Sequence, residues 1–213
     1  MKENNIKWLF FDVGCTLVDE MPVWMHRAEE QLSISRKAGL TPITAEEIIT
    51  GLIERTADFQ PSYRDLVLSL GFDHAAPYRP KFECLYADIK DTLESLEKKY
   101  RLGIIANQKP GLDGRLKKYG IRRYFDVIIS SAEVGCEKPD ERIFTLALEK
   151  AGCRSDEAMM IGDRLDNDIE PAKRLGMYTA RVLTGTAIGQ KPHCPAEEPD
   201  ITVKNLTELK EIM

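Results

Sequence analysis

Two aspartates in this chain each close an apolar run. Asp12 follows Trp8-Leu9-Phe10-Phe11, and Asp163 follows Met159-Met160-Ile161-Gly162. A carboxylate at the end of a buried strand emerges where the strand stops. There it can attack phosphorus and form an acyl phosphate, splitting one difficult displacement into two easier ones. Alone, Asp12 is better read as a structural aspartate that caps a loop. A carboxylate and a phosphate dianion repel each other, so the chemistry needs a cation. Asp163 with Asp168 offers oxygen ligands with room for water, a donor set that suits Mg²⁺ better than zinc. A preference of acids for a helix N-terminus explains Asp166 and Asn167 but not Gly162-Asp163 directly after an apolar strand. Lys138, before Pro139-Asp140, can neutralise phosphate oxygens and hold Asp12 ionised; the tripeptide by itself fits an ordinary surface lysine.

These residues need a frame that brings distant segments to one edge. Short apolar runs alternate with amphipathic stretches after Asp12, which implies a parallel sheet with covering helices. The patterns predict strands at 7–11, 102–106, 126–129, 158–161, 179–182 and 201–203. They predict helices at 88–99, 112–119, 140–151, 167–175 and 206–212. Pro139 suits a first helical turn, Gly152 and Gly176 suit helix ends, and Asn205 with Glu208 makes a capping pair.

Residues 19–81 break the rhythm with helical patterns at 23–37, 45–56 and 63–70 and no strand between them. Thr44 and Glu47 form a capping box, and Gly39 and Gly71 mark stops. The expected organisation is therefore a Rossmann-like α/β core of residues 1–18 and 82–213, its parallel sheet sandwiched by helices. An all-helical cap of residues 19–81 is inserted into it. Open parallel sheets bind ligands at the carboxyl ends of their strands, so the insertion is placed to act as a lid. Residues 185–199, with three prolines and no periodicity, read as a surface loop.

In order and spacing, four segments resemble the haloacid dehalogenase-like hydrolase superfamily. They are Phe10-Phe11-Asp12-Val13-Gly14-Cys15-Thr16-Leu17, Gly103-Ile104-Ile105-Ala106-Asn107, Lys138-Pro139-Asp140 and Ile161-Gly162-Asp163-Arg164-Leu165-Asp166-Asn167-Asp168. The resemblance runs from about Ile6 to Leu209 and implies a magnesium-dependent phosphatase. Asp12 would be its nucleophile and Lys138 its charge-screening cation. Asp12, Asp163, Asp168 and the Gly14 carbonyl would hold the metal. Backbone N–H groups of Val13, Gly14 and Cys15, with Asn107 and Lys138, would cradle phosphate. The family also carries a helical cap at the point of this insertion.

The chain departs from the family twice. Gly14 stands where phosphatases usually have a second aspartate, which protonates the leaving alcohol and then activates water. Losing general acid–base catalysis costs about 10²–10⁴-fold, roughly 3–5 kcal/mol. Ala106 stands where a Ser or Thr usually donates to phosphate, a bond contributing about 1.5–3 kcal/mol. Enzymatic accelerations of phosphate ester hydrolysis far exceed this sum, so a slow or selective phosphatase is expected. Asp19, Glu20 and His26 are candidates for a substitute acid, and Trp24, His26, Arg27, Arg55, Tyr63 and Arg64 for substrate contacts. At helical spacing all of these also fit surface or packing roles.

Composition sets outer limits. Of 213 residues, 43% are hydrophobic and 31% charged, with a net charge of −5. That is ordinary for a globular chain with a sizeable core, and it argues against nonspecific nucleic-acid or membrane binding. Five cysteines without a CxxC pair read as reduced thiols, not a zinc site. The first residues show no signal-peptide pattern, so a cytoplasmic monomer or homodimer acting on a small phosphorylated substrate is expected.

Three rival readings remain. Dehalogenases of this superfamily need no metal, and their fourth motif lacks the Gly162-Asp163 pair. Phosphonoacetaldehyde hydrolases use a cap lysine, and no lysine lies between Lys37 and Lys81. The third is a catalytically impaired protein that binds or regulates through phospholigands on the same scaffold, a reading that Gly14 and Ala106 keep open.

Overall fold

A computed structural model describes residues 5–213. Six parallel strands form the main sheet: β1 (Trp8–Phe11), β2 (Arg101–Ala106), β3 (Val127–Ser130), β4 (Ala158–Gly162), β5 (Tyr178–Val182) and β6 (Ile201–Val203), in the order β3-β2-β1-β4-β5-β6. Phe11 pairs with Ile104 on one side and Ile161 on the other. The ends of β1, β2 and β4, and hence Asp12, Asn107 and Asp163, therefore share one edge.

Both faces of the sheet are buried, as expected of parallel strands that read as continuous apolar runs. Leu9, Phe11, Ile104, Met159 and Ile161 pack on one face with Leu93, Leu116 and Leu209 from three covering helices. Trp8, Phe10, Ile105, Val127 and Met160 pack on the other with Ile143, Phe144 and Ala147 of the helix Glu141–Ala151. The period-2 alternation of strand side chains sends neighbours in sequence into opposite cores. Gly103 makes room for one of them: a Cβ there would stand 2.6 Å from the Phe10 ring.

The chain divides into two compact units. One comprises the residues up to Val18, Leu85–Thr184 and Pro192–Met213, and contains the main sheet. The other comprises Asp19–Cys84 and Gly185–Lys191. The second unit is built on the helices Met21–Gln31, Ala45–Ala57 and Tyr63–Ser69. Ala28, Ile48, Leu52, Tyr63, Leu66 and Phe72 form its core. The Thr44–Glu47 capping box is formed in both directions, at 3.2 and 2.7 Å.

Several expectations from the sequence change. Residues 185–191 belong to the helical unit and not to the core. Gly189 lies so near Ala57 that a Cβ there would stand 3.1 Å from it. The segment read as a surface loop contains the turns Gly185–Ala187 and Pro195–Glu197 and a fully buried Ala187. Two-residue strands, Val18–Asp19 and Cys84–Leu85, make a small separate sheet too short to register as a pattern. The first helix of the second unit ends at Gln31, well before Lys37. Pro139 precedes the helix instead of starting it: Asp140 is the cap and accepts from the Arg142 N–H at 2.9 Å.

Candidate active site

Asp12, Asp163 and Asp168 come together at the carboxyl edge of the sheet. One carboxylate oxygen from each lies within 4.8 Å of the others. Asp12 continues the β1 ladder by donating its N–H to the Ile161 carbonyl at 2.9 Å, which aims its side chain out of the strand end. Asp163 and Asp168 are buried, whereas Asp12 keeps some exposure.

Asp168 arrives by an irregular route. A regular helix was expected from 167, but Leu165–Ile169 is a wide π-type turn and the α-helix begins at Glu170. The Asp168 and Ile169 N–H groups both donate to the Arg164 carbonyl, at 3.0 and 3.3 Å. The turn folds the Asp168 carboxylate back onto β4, where its Oδ2 accepts from the Arg164 N–H at 3.0 Å. A Cβ at position 162 would stand 2.3 Å from the Asp168 carboxyl carbon. Glycine before Asp163 is thus a requirement of close approach.

Lys138 is buried, and its ammonium bridges two of the acids, 2.7 Å from Asp12 Oδ1 and 2.5 Å from Asp168 Oδ1. Burial works to lower its pKa, but Asp12 and Asp168 outweigh that and raise it, so the cation is secure. Burial pushes the Asp163 carboxyl up, reinforced by Asp168 and Asp12. Burial likewise lifts Asp168 to about 6 against the opposing pull of Lys138. Three acids held this close in a dry pocket with one ammonium leave uncompensated negative charge. A hard divalent cation fits that set of oxygens.

The other end of Lys138 is held by Asn107. Its Nδ2 donates to the Lys138 carbonyl at 2.8 Å, and its Oδ1 accepts from the Lys138 N–H at 2.7 Å. The Asn107 side chain is therefore a clamp on the lysine, which leaves the expected phosphate contact to its backbone N–H. The Gln108 N–H is also engaged, donating to Ser131 Oγ at 3.1 Å. Ala106 is fully buried and pairs with Ser130, whose buried hydroxyl has no partner among the described residues.

The loop after Asp12 is tightly wound. The Val13 carbonyl accepts from Leu17 and Val18 at 3.0 and 2.9 Å. Cys15 takes a left-handed φ of 55°, and its carbonyl accepts from the Thr184 hydroxyl. Gly14 does not share that positive φ, so its backbone would admit a side chain.

Among the candidate substitute acids, Asp19 Oδ1 accepts from the Met21 N–H at 2.9 Å. The His26 ring lies 3.9 Å from that of Phe82 and faces Glu29 and Glu30. Trp24, Arg27 and Tyr63 pack against one another. Sequence reasoning missed Arg181, which is buried on β5 with its Nε donating to the Asp163 carbonyl at 3.3 Å. A lone arginine inside an apolar strand was the available signal. It also missed the ion pair of Arg164 with Asp166 beside the metal-ligand candidates.

The family model for haloacid dehalogenase-like hydrolases matches residues 9–182, spanning all four segments. The chain belongs to that family. Its relatives include the glyceraldehyde 3-phosphate phosphatase of Methanothermobacter thermautotrophicus, 30% identical over 98% of this chain and 100% of that one. The enzyme of the same name from Methanopyrus kandleri is 31% identical over 98% and 97%. A solved HAD phosphatase from Thermococcus onnurineus superposes with a TM-score of 0.64 at 26% identity, over 97% of both chains. These full-length relatives put the chain among the phosphatases of the family.

Proposed function

We propose that this protein is a Mg²⁺-dependent phosphatase of small phosphorylated metabolites working through an aspartyl-phosphate on Asp12. The observation that carries the reading is the convergence of Asp12, Asp163 and Asp168 within 4.8 Å, with the buried Lys138 bridging Asp12 and Asp168. Asp12, Asp163, Asp168 and the Gly14 carbonyl would hold the ion. Bound Mg²⁺ would neutralise phosphoryl oxygens and orient them.

The side chains supply the rest. Asp12 attacks phosphorus, its oxygen forms the new P–O bond, and the ester P–O bond breaks to release the alcohol. Lys138 pairs with the Asp12 carboxylate and screens its charge from the incoming phosphate. Water then attacks the phosphorus of the acyl phosphate, releasing phosphate and regenerating the carboxylate. Gly14 offers no side chain to protonate the leaving group, so that proton comes from water and turnover is slow or selective. Leaving groups stable as anions are the favoured ones. The names of the full-length relatives make triose phosphates the first substrates to try.

No helix among the described residues is long and apolar enough to cross a membrane, and we place the enzyme in the cytoplasm. The absent acid at Gly14 and the absent hydroxyl at Ala106 favour a second reading, a phospholigand-binding protein on the same scaffold. Phosphate release from a panel of small sugar and acid phosphates, glyceraldehyde 3-phosphate included, separates the two. Mg²⁺-dependent turnover of any member supports the enzyme. Binding without release from every member supports the alternative.

A further inference from the structure

The helical unit contains an arginine with no acidic partner. Arg27, on the helix Met21–Gln31, is half-buried, with its guanidinium carbon 4.0 Å from the Tyr63 ring centre and 5.5 Å from that of Trp24. The Trp24 ring lies 5.9 Å from Tyr63 and 5.4 Å from Tyr78, so two rings pack on the cation and a third packs on Trp24. Several arginines elsewhere pair with carboxylates: Arg79 with Glu30, Arg122 with Asp113, Arg164 with Asp166. Arg27 makes no ion pair among the described residues. The acids around it are engaged, Glu30 by Arg79 at 2.5 Å and Glu83 by the Tyr78 hydroxyl at 3.1 Å.

The guanidinium is also held still. Its Nε donates to the Ala76 carbonyl at 2.7 Å. Gln31, fully buried, fixes that segment by accepting from the Ala76 N–H at 2.7 Å and donating to the His74 carbonyl at 2.8 Å. The Tyr63 hydroxyl donates to the Arg27 carbonyl at 3.2 Å. One N–H of the fork is thus pinned and its faces rest on rings. The two terminal amino groups have no hydrogen-bond partner among the described residues. The indole N–H of the adjacent Trp24 is buried with no partner among the described residues, so its resonance reports on any charge bound at Arg27.

A planar fork fixed at one nitrogen, in aromatic surroundings that strengthen its field, is pre-organised for paired oxygens. We propose that the Arg27 guanidinium forms an oxyanion-binding site in the helical unit. It takes a carboxylate or phosphate group of a small metabolite on the terminal amino groups. The pairing adds no net proton transfer, because the arginine stays charged at every working pH.

The test uses the full-length Asp12→Asn protein, so that its outcome is independent of turnover and of the phosphatase reading. The Arg27 Nε–H and Trp24 indole N–H resonances are followed during separate titrations with sodium phosphate and sodium acetate at constant ionic strength. Both signals should move together and saturate for at least one oxyanion, and the one that saturates names the group. Arg27→Lys should weaken binding by about tenfold or more, because a point ammonium cannot present paired donors. Arg27→Met should abolish the shifts while the Trp8 indole signal, buried in the sheet core, stays in place and reports an intact fold. Absence of saturation with either ion, or shifts that survive Arg27→Met, would overturn the proposal.

Discussion

The Asp168 carboxylate lies on the bare α-carbon of Gly162, in a space that any side chain at 162 would fill: a Cβ there would be 2.3 Å from Asp168 Cγ and 2.4 Å from its Oδ2. Asp168 reaches this place only because the π-type turn Leu165–Ile169 swings it back toward the strand. The glycine and the wide turn are two halves of one device for seating a third carboxylate beside Asp12 and Asp163.

Gly162→Ala should therefore displace Asp168 with little loss elsewhere on β4. Disturbing the support of a metal ligand typically lowers metal affinity about 10–100-fold. Isothermal titration with Mg²⁺ should show a loss in that range while the circular dichroism spectrum is retained. Unchanged Mg²⁺ affinity would mean that Asp168 is not a ligand.

Asn107 should matter through Lys138. Asn107→Asp replaces the Nδ2 donor with an oxygen facing the Lys138 carbonyl, so it should be more damaging than Asn107→Ala. Losing one such bond and leaving a buried carbonyl unpaired costs about 1–3 kcal/mol, roughly a tenfold fall in kcat or more. A change in KM alone would place Asn107 at the substrate instead.

Gly14→Asp would add the missing acid, and Gly14 lacks the positive φ that would forbid a side chain. General acid catalysis is worth about 10²–10⁴-fold. The gain should appear with alkyl phosphates and be small with aryl or acyl phosphates, whose leaving groups need no proton. Rate comparison on the two classes checks it. Wild-type protein that hydrolyses both equally well already has an acid elsewhere.

Stability without metal should fall as pH rises. Asp168 has a folded-state pKa of about 6, raised mainly by burial, against about 3.9 in an unfolded chain. Between those values the folded state binds more protons, so the stabilisation is complete below about 4 and lost as pH passes through 6. Asp163 is raised in the same direction by the same cause. Thermal melts in a chelator should show wild type losing stability from pH 4.5 to 7 more steeply than Asp168→Asn. Added Mg²⁺ should flatten the wild-type slope. Parallel slopes for the two proteins would show that Asp168 does not titrate in this window.

The sheet was legible because each strand is an apolar run bounded by turn residues, and the run before Asp12 ended at Phe11 as expected. The helices of the second unit were legible from periodicity and from the Thr44–Glu47 box. Less visible were features made by contacts distant in sequence. The Asn107–Lys138 clamp joins residues 31 apart, and residues 185–191 join a unit more than 100 residues upstream. Arg181 stands out in its apolar strand, but its bond to the Asp163 main-chain carbonyl is one that no side-chain motif announces. The π-type turn was read as ordinary helix because its residues carry no signal for the extra-wide bond pattern. Of the site itself, the convergence of Asp12, Lys138, Asp163 and Asp168 could be expected from four segments that end or follow strands. The second role of Asn107 could not.

Capture of the covalent intermediate tests the proposed chemistry most directly. Protein mixed with Mg²⁺ and radiolabelled acetyl phosphate is quenched in acid within milliseconds to seconds and digested. Label should appear on the peptide containing Asp12, decay at the rate of phosphate release, and be absent from Asp12→Asn. Phosphate release that proceeds without label on Asp12, or that survives Asp12→Asn, would rule out the aspartyl-phosphate.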